Sequence, residues 1–353
     1  MKWIPGLAVA LSFLSGCASI GPPTVARDRF DYVEAISDSW KRQMLLNLLK
    51  VRYADAPVFL DVTSVISSYE FHGQAGVFGQ RAPEGRAGDS FAGVSANGSY
   101  TDRPTITYAP LSSDKFARSL MSPIPISGIA LLIQAGYPVD VVLRVCANSV
   151  NGLENSFGGR GERRGDPRFH EMTRLLRAAQ ESGHLVLHLK KEGDQQRVML
   201  YLRKSEDAAV GSGGERLATL LGLDPALDEF TVVYGARVAS RAEVAIQSRS
   251  MMQVMADFGS YIDVPRTDIE EGRVFVARRQ LEHTDELPAL LHIRNSSDFP
   301  EEAHVAVRYR ESWYWIDDRD HTSKAAFNYL MQLFSLTETG ATQAAPVVTV
   351  PAR

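Results

Sequence analysis

Apolar residues recur at steps of three and four from Val33 through Ile36, Trp40, Met44 and Leu48 to Val51, while Lys41, Arg42, Lys50 and Arg52 lie off that stripe. This spacing predicts an amphipathic helix over residues 28–54, with Asp28 and Asp31 at the positive end of its dipole. After Pro57 the period shortens to two. Val65, Ser67, Tyr69, Phe71, Gly73, Ala75, Val77 and Gly79 share the odd positions; Ser68, Glu70, His72, Gln74 and Gln80 fill most of the even ones, broken by Ile66 and Phe78. A second run sets Ala92, Val94, Ala96, Gly98 and Tyr100 on one face and Ser95, Asn97, Ser99 and Thr101 on the other, with a polar connection at residues 81–89. The pattern predicts a long hairpin over residues 65–100 with one apolar face, its second strand continued by Thr105-Ile106-Thr107-Tyr108.

Farther along, the patterns predict short helices at 114–121 and 127–134 and a strand over 139–146 that ends in Cys146. A Gly/Arg-rich loop without periodicity follows at 151–167. The second half reads as a helix at 167–182, a hairpin over 184–204, a glycine turn at Gly211-Ser212-Gly213-Gly214 and a helix near 215–221. Then come a strand at 230–238, a Ser248-capped helix to Gly259, strands at 287–294 and 304–316, and a helix at 322–337. Helices and mostly antiparallel strands mix without regular βαβ alternation, so the expected class is α+β. The expected divisions are an N-terminal α+β region at 28–155 carrying the hairpin, a C-terminal α+β region at 166–338, and a loose tail at 339–353.

Composition narrows the function classes more than the fold. Hydrophobic residues make up 44% and charged residues 23% of the 353, the balance of a globular chain. Lys and Arg number 38 against 42 Asp and Glu, so no basic excess points to nucleic acid. The uncharged stretch at 119–139 is interrupted by Pro123, Pro125, Gly128, Gly136 and Pro138, and reads as core rather than a membrane span.

The first residues carry an address. Lys2 precedes the apolar run Gly6-Leu7-Ala8-Val9-Ala10-Leu11-Ser12-Phe13-Leu14, which ends in Leu14-Ser15-Gly16-Cys17. That run resembles the bacterial lipobox, in which the Cys thiol takes a diacylglycerol and becomes the new N-terminus after cleavage. The resemblance implies a signal peptide at 1–16, acyl chains including palmitate on Cys17, and a lipidated tether at 17–27 around Gly21-Pro22-Pro23. Ala18, rather than Asp, follows the Cys; the expected location is the periplasmic side of the outer membrane. Three further stretches resemble a group of uncharacterised proteobacterial outer-membrane lipoproteins: Arg29-Phe30-Asp31-Tyr32 through Gln43-Met44-Leu45-Leu46-Asn47, Thr105-Ile106-Thr107-Tyr108-Ala109-Pro110-Leu111, and Trp315-Ile316-Asp317-Asp318-Arg319-Asp320 with Ser323-Lys324. This resemblance implies localisation and brings no catalytic residues with it.

Candidate chemistry is sparse. Asp317, Asp318 and Asp320 beside His321 hold enough oxygen for a hard cation, but Arg319 interrupts the calcium-loop spacing, and capping of the following helix is the competing reading. Trp313 and Trp315 share one strand face, as core or as a ligand platform. Arg160, Arg163 and Arg164 gather positive charge that suits either a solvated loop or an anionic partner. Cys146 reads as a buried structural thiol. No convergent acid, base or nucleophile set, metal motif or phosphate loop is recognisable, so no cofactor is expected and catalysis is not the leading expectation. The leading expectation is a non-catalytic scaffold or accessory subunit of an envelope complex, anchored by its lipid and bound to a protein partner. The alternatives are an oligomeric pore subunit acting through the 65–100 hairpin, and an envelope enzyme with a site dispersed in sequence.

Overall fold

The computed structural model describes residues 21–66, 69–80, 91–111, 114–192, 195–203, 208–277 and 289–337. Helix α1 (Gly21–Arg52) follows the stripe read from the sequence but starts well before Asp28. Pro22 and Pro23 fall in its first turn, where a helix needs no N–H, so the segment expected as tether from residue 21 onward is helical. Asp28 and Asp31 consequently lie within the helix rather than at its start. Along its C-terminal half Met44, Leu45, Leu48 and Leu49 are fully buried, whereas Phe30 and Val33 on the same stripe are exposed.

The fold is α+β, and it forms two compact units: one of residues up to Pro57 and from Ser113 onward, the other centred on Val58–Ser112. The second unit is an extended hairpin. Strand β1 (Leu60–Ile66) pairs with β4 (Thr105–Pro110), and β2 (Tyr69–Gln80) pairs with β3 (Phe91–Asp102), both antiparallel.

In the first unit, α2 (Asp114–Met121), α3 (Ile126–Gln134) and α4 (Val139–Cys146) precede a six-stranded sheet. The expected strand ending in Cys146 is therefore a helix. Its β-branched run misleads, but Val139, Val142, Leu143, Val145 and Cys146 are buried at helical spacing, with Asp140 and Arg144 off that stripe. The sheet runs β6-β5-β10-β9-β8-β7, with β5 (Ala147–Val150), β6 (Leu153–Glu154), β7 (Leu185–Glu192), β8 (Gln195–Leu202), β9 (Glu229–Tyr234) and β10 (Glu243–Ser248). Only the β9–β10 pair is parallel. Between β6 and β7 lies α5 (Pro167–Glu181), started by Asp166, whose side chain accepts from the Arg168 amide. Helix α6 (Ala208–Leu221) includes Gly211 to Gly214, so the expected turn there is helical instead. Apolar side chains of α3, α4, α5 and α6 meet Leu187, Val198, Leu200, Val232 and Ile246 of the sheet around a cavity of about 40 Å³. Its wholly apolar lining gives a water no polar partner, so it is a packing void of the core.

Pairing of β5 with β10 removes the boundary expected at 151–167. Asn151 and Gly152, both at positive φ, turn β5 into β6. Asn151 then joins the sheet by accepting from the Ala245 amide at 2.7 Å and donating to the Leu221 carbonyl at 2.7 Å.

Helix α7 (Met251–Gly259) is capped by Ser250 rather than Ser248, with Gln253 closing a capping box, and α8 (Arg266–Glu270) follows. A second sheet, ordered β11-β13-β12, comprises β11 (Arg294–Ser296), β12 (Ala303–Tyr309) and β13 (Ser312–Asp317), so the strand expected over 304–316 is a hairpin. Its positive-φ Arg310 marks the turn, and α9 (His321–Thr337) packs against it. Tyr53, just past α1, ties these pieces together. Its hydroxyl lies 2.5 Å from Asp268 and 2.6 Å from Tyr314, and the Arg310 guanidinium covers its ring at 4.4 Å.

Candidate functional site

Residues singled out for chemistry do not converge. Each carboxylate of the Asp317–Asp320 run has its own partner. Asp317 bridges Arg294 at 3.0 Å and accepts from the Arg319 amide. Asp318 meets Lys324 Nζ at 2.8 Å, which holds its carboxyl below the usual range. Asp320 caps α9, accepting from the Ser323 amide at 3.0 Å and hydroxyl at 2.6 Å; these bonds outweigh its partial burial and keep it low. Among the described residues no group of three or more His, Cys, Asp or Glu side chains is placed to hold a metal ion.

Trp313 and Trp315 do share a strand face, yet they do not form the core. Tyr314 and Ile316, on the opposite face, are buried at 1% and 0% exposure, and the two indoles are half-buried. Phe299 packs edge-on to Trp313 with ring centroids 4.9 Å apart, and Arg294 lies over Trp315 at 5.2 Å. The arginines also separate: Arg160 and Arg164 are exposed, whereas Arg163 donates to the carbonyls of Asn155 and Asn148 and lies 3.6 Å from Glu154. Cys146 is fully buried beside the Tyr329 hydroxyl at 3.3 Å, and burial pushes its thiol up to about 11. Cys17 lies outside the described residues.

The sequence reading missed a buried polar node. Arg249, with 0% exposure, donates to the carbonyls of Arg144 (3.2 Å), Val145 (3.3 Å) and Ser156, and to Asn148 Oδ1 (3.3 Å). It pairs with Asp257 at 3.1 Å, and the other oxygen of Asp257 accepts from the Gly158 amide at 2.6 Å. A Cβ at Gly158 would stand 2.1 Å from Ser260 Oγ, so only glycine fits this approach. The Gly/Arg loop expected to be solvated is thus stapled to the end of α4 and to α7. Closed on all sides, the node supports the fold rather than meeting a ligand. Its one local signal was Asn151-Gly152, a hairpin turn that places the loop beside the sheet.

The exposed apolar feature is the hairpin of β2 and β3. Twelve consecutive pairs join them, from Tyr69↔Asp102 to Gln80↔Phe91. Gly73↔Gly98, Ala75↔Ala96, Val77↔Val94 and Gly79↔Ala92 alternate with His72↔Ser99, Gln74↔Asn97 and Gly76↔Ser95. On the apolar face Val77 is 83% exposed and Val94 78%. On the polar face the Phe78 ring covers Gly93, where a Cβ would come within 2.5 Å of it. Among the described residues β2 and β3 pair as strands only with each other. Strands of twelve residues extend about 40 Å, and at a barrel tilt near 40° this projects to about 31 Å, close to the ~30 Å hydrocarbon core of a bilayer. No helix among the described residues is long and apolar enough to cross a membrane.

Comparison of the chain with known protein families, with curated proteins and with solved structures finds no match.

Proposed function

We propose that this chain is the subunit of an oligomeric outer-membrane pore, tethered by acyl chains on Cys17 and inserting the β2–β3 hairpin into the bilayer. The observation that carries this reading is the exposure of an apolar face on a hairpin of membrane-spanning length, with a polar face behind it. Water disfavours the apolar face, and hydrocarbon disfavours any strand edge left without a pairing neighbour, because backbone groups find no hydrogen-bond partner there. Both costs disappear together only when hairpins from several copies pair edge to edge and close into a barrel, apolar outside and polar within. A lone two-stranded ribbon is marginal, which makes further copies of the same hairpin the natural partners of its edges. The lipid anchor concentrates copies at the membrane, and several acyl chains hold them there where one would be marginal.

Adjacent residues test the reading because they face opposite ways. Ala96 lies near the middle of the ladder on the apolar face, and Asn97 on the polar face. Arginine at the lipid-facing midplane costs about 2–4 kcal/mol per copy, whereas a lumen position tolerates it. Full-length lipidated protein is added to dye-loaded liposomes and its oligomer size measured in detergent. Wild type and Asn97→Arg are expected to release dye and form rings, Ala96→Arg to do neither, and Cys17→Ala to lose membrane retention. A wild type that stays monomeric and releases no dye, or an Ala96→Arg variant as active as wild type, would overturn it.

A further inference from the structure

Among the described residues, the polar face of β2 and β3 carries a single carboxylate. Even positions of β2 and odd positions of β3 contribute Glu70, His72, Gln74, Ser95, Asn97, Ser99 and Thr101, and no Lys or Arg. Glu70 pairs with Thr101 one step from the Tyr69↔Asp102 end of the ladder, far from the connection between the strands. Its side chain is 56% exposed, and Oε1 lies 2.7 Å from His72 Nε2 on the same face. The imidazole thereby holds the carboxylate along the strand. The other charges at this end are Asp102, whose register position belongs to the opposite face, and Arg103 in the short link to β4.

We infer that Glu70 sets the ion preference of the pore: repeated once per copy, it forms a ring of carboxylates at one mouth of the lumen and favours cations. The inference rests on the barrel reading above. Besides His72, Phe78 and Phe91, amide, hydroxyl and glycine positions make up the rest of the described polar face, so a carboxylate ring is the main fixed charge along β2 and β3. Rings of acidic side chains make channels cation-preferring, and low-dielectric walls focus their field. Arg103 opposes that field from the same end.

Full-length protein in planar bilayers, under a KCl gradient in alkaline buffer, gives the test. Wild-type channels are expected to reverse on the potassium side of zero, Glu70→Gln channels at zero or on the chloride side, and Arg103→Gln channels farther toward the potassium potential than wild type. Glu70→Gln channels that open with unchanged reversal potential would overturn the Glu70 ring while leaving the barrel intact. Wild-type protein that opens no channels would overturn the barrel and the ring with it.

Discussion

Asp257→Ala removes the carboxylate paired with the buried Arg249 and the side-chain acceptor of the Gly158 amide. Arg249 keeps the carbonyls of Arg144, Val145 and Ser156 and the Asn148 side chain, so its donors stay largely satisfied while its charge does not. Stranding a buried charge costs about 3–5 kcal/mol. Leaving a buried amide without its acceptor costs about 1–3 kcal/mol. The two losses share one carboxylate and overlap, so the expected destabilisation is about 4 kcal/mol, against a total stability of about 5–15 kcal/mol for a typical domain. Urea unfolding followed by fluorescence of Trp313 and Trp315 measures it. The double variant Arg249→Met/Asp257→Leu is expected to lose less than the sum of its single changes, because it removes both charges and strands neither. A loss below about 1 kcal/mol for Asp257→Ala, or strict additivity in the double variant, would refute the account of the node as a mutually compensating pair.

Two further outcomes follow from local geometry. Gly158→Ala sets a methyl against Ser260 Oγ in the same closed region, and the overpacking is expected to cost about 1–3 kcal/mol in the same assay; Gly214, where a Cβ meets nothing, is the tolerant control. His292 is bonded to Asp263 at 2.7 Å, and that carboxylate raises its pKa. The protonated form is thus favoured on folding: its stabilisation is complete below the unfolded-state value near 6.5 and fades as pH rises through the folded value. The stability difference between wild type and His292→Gln should therefore shrink from about pH 6 to about pH 8, and NMR should place the imidazole titration above the free-histidine value. A difference that grows with pH would reverse the assignment.

Elements with strong local periodicity were legible before any coordinates. The stripe from Val33 to Val51 and the alternation on both sides of residues 81–89 depend on neighbours in sequence, and α1, β2 and β3 follow them. Val139–Cys146 shows the limit: β-branched residues favour a strand, but burial on one face at helical spacing decides for a helix. The glycines at 211–214 mislead in the same way, because packing of α6 against α5 outweighs their weak propensity. Arg249 was invisible, since an arginine between two serines reads as exposed and its partners are dispersed from Arg144 to Asp257. The hairpin's alternation was legible, but whether its apolar face lay covered or open is a property of the whole chain. That openness makes the hairpin the candidate site.

The junction of β5 with β10 also bears on the order in which the chain acquires its shape. Val150 pairs with Ile246, about a hundred residues farther along, so the central sheet gains its middle strand only late in synthesis. The β2–β3 hairpin closes through contacts between strands adjacent in the chain and is complete long before β10 has been made. A newly delivered chain consequently displays its apolar ribbon while the remainder still lacks its central strand. Until that strand arrives, the ribbon is the segment a chaperone would need to shield from premature pairing with another copy.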